Sequence, residues 1–178
     1  MSVTSLDETG SEALMQAQMT NDVIRVVVSG GQWPLGKRVI ERFKNDGGFE
    51  VREVNQSTDA IDSPLDVFVH LAPGDHDALV ERRRSAVIGT PELLHAATVQ
   101  GAKHIVLLSS AMVYGAWPNN PIPLTEETAL RPDFGFAFAR QLATVEQLVD
   151  DWRESSADRG VCVLRPVPAM AADDKPEN

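Results

Sequence analysis

Residues Ser29–Lys37 read SGGQWPLGK, and glycines at this spacing behind an apolar run can bring backbone N–H groups against a phosphate. The pattern for a dinucleotide needs three of them: one for a tight turn, one for close approach to the pyrophosphate, and one for packing helix on strand. Gly30 and Gly36 meet the first and third needs, Gly31 lies beside Gly30, and the middle position is Trp33. Pro34 then falls in the first helical turn, where it has no N–H to offer an anion. An acidic residue near the end of the second strand would grip the adenosine ribose, and that position reads Asn55, which hydrogen-bonds without a charge.

Other reactive side chains point to less. His70, Asp75, His76 and Asp77 are close in sequence, but His70 belongs to a buried strand and His76 lies beyond a turn, with no convincing further ligand, so no metal site is expected. Arg82, Arg83 and Arg84 form the one basic cluster and read as a solvated helix face beside Glu81. The single Cys162, inside VCVLRP, reads as a small core residue and allows no disulfide framework. Ser110 has no histidine in a triad arrangement and no nucleophile-elbow motif around it, so it reads as a turn residue at a strand end.

These residues must be held by the elements between them. Val23–Ser29 is rich in β-branched residues and reads as a strand buried on both faces; Leu35, Val39, Ile40 and Phe43 follow at helical spacing. Asn45–Gly48 ends that helix and Phe49–Val54 alternates as a second strand. Only Gln56–Leu65 separates it from the next buried run, Asp66–Ala72, which leaves room for one tight crossover and no additional strand. Pro73-Gly74 is the turn after that strand. Asp77–Ile88 predicts a helix, with Thr90 as an N-cap and Pro91 at the next helical start, restarting or kinking it through Gln100. His104–Ser109 is another buried strand, and a proline-rich loop covers Trp117–Pro132. Phe138, Leu142, Val145, Leu148, Val149 and Trp152 predict a long amphipathic helix over about 133–155, and Val161–Leu164 a last strand. The alternation predicts an α/β, Rossmann-like open sheet, mostly parallel, with helices on both faces and trimmed after the second strand.

At 178 residues, 43% hydrophobic and 24% charged, the composition is that of one soluble globular domain. We divide it into a flexible acidic arm at 1–21, an NAD(P)-binding-type domain at 22–168 and an acidic tail at 169–178. A net charge of −10 opposes binding to nucleic acid or an anionic membrane surface. No secretory signal or membrane span is expected, and a reduced, cytoplasmic setting fits the single cysteine.

With SGGQWPLG, DVFVHLAP, VIGTPELLHAA, LLSSAMVYG, PIPLTEETALRP and VLRP in this order, the chain resembles the extended short-chain dehydrogenase/reductases, the NAD-dependent epimerase/dehydratase family, over about Val23–Pro166. The resemblance implies an NAD or NADP site lined by Gly30, Gly31, Gln32, Trp33, Leu35 and Gly36 of the loop. Asn55 at the second strand and Leu71, Ala72 and Pro73 at the next would complete it. It implies hydride transfer on a sugar nucleotide or related alcohol or ketone, worked by a Ser, a Tyr and a Lys four residues after the Tyr. Ser110 matches the Ser, while Phe138 stands at the Tyr position, Leu142 at the Lys position, and Ala86 at that of a helix Asn. With Trp33 and Asn55 that makes five departures within one site. Two readings follow: a catalytically inactive binding or oligomerisation subunit, or an NAD(P)-dependent enzyme with an altered site. The resemblance further implies a homodimer or heterodimer through helices 77–100 and 133–155, with Phe134, Phe136 and Phe138 near the contact, and the family's C-terminal substrate-binding region is expected to be absent.

Overall fold

The computed structural model describes residues 23–54, 61–71 and 79–167, with side chains for all of these except 79–88. Strand β1 (Ile24–Ser29) leads through the glycine turn into helix α1 (Pro34–Asp46), and β2 (Phe49–Val54) follows. Then come β3 (Val67–Leu71), α2 (Leu79–Val99), β4 (His104–Leu108), a 3-10 turn (Ala111–Tyr114), α3 (Ala137–Glu154) and β5 (Gly160–Leu164). All strand pairs are parallel, in the order β2-β1-β3-β4-β5. The chain therefore passes from β2 across β1 to β3, and among the described residues no strand lies beyond β2, in keeping with the trimming expected from the short Gln56–Leu65 segment.

Strand alternation divides the core. Val27, Phe68, Ile105 and Leu107 meet Leu93, Leu94 and Ala97 of α2 and Val145, Val149 and Trp152 of α3 on one face. Val26, Val28, Val69 and Leu71 point the other way, where Ile40 of α1 packs on them. This period-two sorting puts helices on both faces. The bottom of the sheet is pinned by Arg25, whose guanidinium donates to both oxygens of Asp66, at 3.0 Å from Nε and 2.7 Å from Nη2. The expected arm at 1–21 and tail at 169–178, and Asn55, Ala72, Pro73, Asp75, His76 and Asp77, lie outside the described residues.

Three local expectations are corrected. Helix α2 is one element through Pro91, and Thr90 is fully buried inside it rather than capping a new start. Pro91 sits on the exposed face, while Thr90, Leu93, Leu94 and Ala97 face the core, so the packing of the stripe outweighs the one missing N–H. Helix α3 begins at Ala137 instead of about 133, because the Asp133 side chain accepts from Gly135 N at 2.7 Å and its carbonyl from Phe136 N at 3.0 Å, closing a separate turn. Cys162 is exposed rather than in the core: among the described residues β5 is the other edge, and its even-numbered side chains lie on the face that only α1, over the opposite half of the sheet, covers.

Candidate functional site

In a parallel sheet the loops that follow the strands gather at one rim, and ligands of such folds bind there. The turn after β1 and the turn after β4 meet this condition. Gly30 adopts φ +81°, and a Cβ on it would fall 2.6 Å from the carbonyl oxygen of Leu71 at the end of β3. A Cβ on Gly36 would strike the Gly30 carbonyl and the Gly31 Cα, so α1 is drawn onto the end of β1 as the fingerprint requires. Gly31 is equally crowded, with Ile40 Cδ1 against it and the carboxyl carbon of Glu53 2.6 Å from a Cβ built there. Glu53 is thus an acid beside the loop that the search for a ribose partner at Asn55 passed over. Strand alternation carries the signal, since Phe49, Val51 and Glu53 share the α1 face.

The remaining loop residues depart from that fingerprint in type. Trp33 is half-buried and extended, its N–H donates to the Gly30 carbonyl at 3.3 Å, and its own carbonyl accepts from Lys37 N at 2.9 Å. Pro34 is the first residue of α1, Leu35 is exposed, and Gln32 is half-buried with its amide oxygen unpaired. The loop keeps the backbone shape of a dinucleotide turn, while its glycines are all accounted for by contacts within the chain.

Beneath the loop lies a buried polar line that the sequence reading did not find. Ser29 Oγ and His70 Nδ1 share a hydrogen bond of 2.6 Å, and His70 Nε2 and Thr90 Oγ1 share another of 3.1 Å. The three residues are nearly free of solvent and join β1, β3 and α2. A neutral imidazole satisfies both contacts, one nitrogen donating and the other accepting. Burial pushes the His70 pKa down from 6.5 to about 4, which keeps that ring neutral at ordinary pH. A histidine inside the apolar run DVFVHLA was itself the signal, since a buried imidazole requires partners.

At the end of β4, Ser110 caps the 3-10 turn: its Oγ accepts from Met112 N at 3.3 Å and donates to the Pro166 carbonyl at 3.5 Å. Phe138 and Leu142, at the family's Tyr and Lys positions, are 9% and 4% exposed and pack with Val113 and Tyr114 in one apolar cluster. Next to it is a charged knot. Glu146, on the inward face of α3, takes a forked bond from Arg165, with Nη2 donating at 2.7 Å and Nε at 3.1 Å. Ser109 Oγ donates to the same carboxylate, and Arg165 Nη1 reaches the Tyr114 hydroxyl at 2.7 Å and the Glu126 carbonyl at 3.3 Å. Every nitrogen of the guanidinium is therefore engaged inside the chain. Phe138 and Leu142 pack against Val113 and Tyr114 of the turn that Ser110 caps, and neither of the two side chains can donate or accept a proton.

A parallel, doubly wound sheet with a glycine-built first turn and a serine-capped turn after its fourth strand defines a Rossmann-type domain of the dinucleotide-binding class. The whole sheet from Val26 onward carries that pattern. The chain belongs to the NAD dependent epimerase/dehydratase family, whose model matches residues 26–178. No curated protein matches it. Among solved structures, a short-chain dehydrogenase/reductase superfamily protein from Agrobacterium tumefaciens with bound NAD is 24% identical, with a TM-score of 0.63, over 79% of this chain and 48% of that one. UDP-N-acetylglucosamine 4-epimerase from Methanobrevibacter ruminantium is 21% identical, with a TM-score of 0.65, over 80% and 54%. UDP-glucose-4-epimerase from Stenotrophomonas maltophila, with bound NAD and formylated UDP-arabinopyranose, is 20% identical, with a TM-score of 0.64, over 80% and 52%. At these identities the likeness is one of fold, and the chain spans about half the length of the structures it matches.

The rest of the surface carries less. No helix among the described residues is long and apolar enough to cross a membrane, and no group of three His, Cys, Asp or Glu is placed to hold a metal ion. The exposed positions of α3 beyond its first residue are Arg140, Thr144, Gln147, Asp150, Asp151, Arg153 and Glu154, largely charged. Phe134 and Phe136 lie ahead of that helix, 84% and 36% exposed, and Phe138 is buried within the chain.

Proposed function

We propose that this chain is a non-catalytic member of the NAD dependent epimerase/dehydratase family that serves as a binding or oligomerisation subunit. The observation that carries the proposal is the apolar cluster of Val113, Tyr114, Phe138 and Leu142. A positioned acid or base contributes on the order of 10²–10⁴ in rate, and a phenyl ring and an isobutyl group supply neither. Arg140 lies on the exposed face of α3, while Phe138 lies on the buried one. The serine that remains is a turn cap. The residues present do not fit a working nicotinamide: the loop's shape suits a pyrophosphate, but Trp33 and Pro34 stand in its approach and no residue is left to hold the nicotinamide ribose as the family's Lys does.

The test is calorimetric titration of the full chain with NAD⁺, NADH, NADP⁺ and NADPH, joined to a turnover assay with UDP-sugars read by product analysis. The expected result is no turnover, with weak or no heat at millimolar dinucleotide. Epimerised or dehydrated product formed by the purified wild-type chain would overturn the proposal.

A further inference from the structure

The turn that closes α1 has the makings of a chemical reaction in its own backbone. Residues Asn45–Gly48 read NDGG, and Asp46-Gly47 is the one place in the sequence where an aspartate or asparagine precedes a glycine. Asp46 is the last residue of α1, and Gly47 and Gly48 follow it with φ +69° and +73°. A Cβ built on either glycine meets nothing within 4 Å, and Lys44–Gly48 is exposed throughout. The Asp46 side chain is 43% exposed, and Arg42 Nε donates to its Oδ2 at 3.1 Å across the last turn. An exposed pair of this kind holds weakly, and helix ends fray. Other described aspartates are better held: Asp66 is forked to Arg25, and Asp150 and Asp151 lie within α3. Every other aspartate in the chain is followed by a residue whose side chain crowds the next backbone nitrogen.

We propose that Asp46-Gly47 is a site of spontaneous backbone modification, at which the folded chain isomerises to isoaspartate. The Gly47 nitrogen attacks the side-chain carboxyl carbon of Asp46 in its acid form. A C–N bond forms, a C–O bond breaks, and the amide proton leaves with the carboxyl hydroxyl as water, giving a five-membered succinimide. Water then opens the ring. Attack at the Asp46 main-chain carbonyl carbon breaks its bond to the Gly47 nitrogen, so the chain runs on through the side-chain carbon and a free α-carboxylate is left in solvent. One water leaves and one returns, so the mass is unchanged and no oxidant or cofactor is consumed. The product carries an extra methylene in its backbone just ahead of Phe49. There β2 begins its pairing with β1, and the Gly48 carbonyl accepts from Ile24 N at 2.9 Å. The inference rests on this turn alone and does not depend on the non-catalytic reading.

The experiment is to age the full chain at neutral pH and body temperature, folded and in urea, and to follow the tryptic peptide Asn45–Arg52, in which Asp46 is the one aspartate. The expected result is a second chromatographic peak of unchanged mass, identified as the isoaspartyl form by electron-transfer fragmentation. It should grow in the folded chain at a rate within about tenfold of that in urea, because a frayed last turn opens at little cost. Arg42→Ala should speed its growth in the folded chain roughly twofold, by releasing an exposed i,i+4 partner, and should leave the rate in urea unchanged. Asp46→Glu should abolish the peak, since the corresponding six-membered ring closes far more slowly. A folded chain slower than the tenfold limit, with the urea sample reacting, overturns the proposal, and so does a peak that persists in Asp46→Glu. Neither turnover nor dinucleotide binding enters these readouts, so failure here is distinct from failure of the functional reading.

Discussion

Lowering the pH should unlock the buried Ser29–His70–Thr90 line before it affects anything else in the core. His70 titrates at 6.5 when free and at about 4 in the folded chain, because burial penalises its charged form. Between those values the unfolded chain binds a proton that the folded chain refuses. Stability from this group is therefore complete above pH 6.5, declines as the pH falls toward 4, and changes no further below that. At ~1.4 kcal/mol per pH unit, the interval corresponds to roughly 3 kcal/mol, a large fraction of the 5–15 kcal/mol that holds a typical domain together. The assay is urea unfolding, followed by tryptophan fluorescence, at half-unit steps from pH 7.5 to 4 for wild type and His70→Gln. Glutamine offers both a donor and an acceptor and does not titrate. Subtracting the two curves removes the other three histidines. The variant should be the less stable protein at pH 7.5, and the gap should close by roughly 3 kcal/mol by pH 4. Curves that stay parallel would refute the argument. The Arg25–Asp66 fork cannot imitate the effect, because the Arg25 guanidinium holds the Asp66 carboxyl down at about 2 from 3.8, and its contribution is lost only as the pH falls below 3.8.

Two further substitutions test how the rim is built. Gly36→Ala places a methyl group against the Gly30 carbonyl and Gly31 Cα, backbone atoms that cannot rotate aside, and should destabilise the chain by about 3 kcal/mol, seen as a fall in Tm of roughly 6–12 °C. Glu146→Leu leaves the Arg165 guanidinium, 19% exposed, without its counter-charge and should cost about 3 kcal/mol in chemical denaturation. Adding Arg165→Met should recover most of that loss, and additive losses in the double variant would show that the pair is not coupled.

Much of the fold was legible because its signals are local. The β-branched run of β1, the glycine pair at Gly47-Gly48 and the short Gln56–Leu65 segment each dictate one local outcome, while the sheet order came from the structure. What was missed depends on which face an element turns to a neighbour. Thr90 before Pro91 has the local chemistry of a helix cap, but tertiary packing directs its hydroxyl to His70 from a strand 20 residues earlier. Cys162 sits in an apolar run that reads as core, although a strand at an edge has one face that no helix of its own half covers. Glu146 was overlooked among the apolar residues around it, yet its position four residues after Leu142 puts it on the buried face, where a carboxylate demands a cation. In the candidate site, residue identity could be read at Phe138 and Leu142, whereas the use of Trp33 N and Ser110 Oγ within the chain could only come from geometry.

Arg165 also sets an order of events during synthesis. Its guanidinium joins Glu146 of α3, the Tyr114 hydroxyl 51 residues earlier and the Glu126 carbonyl of the long proline-rich loop, while the neighbouring Pro166 carbonyl holds Ala111 and Ser110. All of these partners leave the ribosome before it does. A nascent chain can therefore pair β1, β2, β3 and β4 and bury the face under α2 while the rim around Ser110 still lacks its fastening. The rim is the last part of the described domain to be closed, and fraying of β5 would reopen it first.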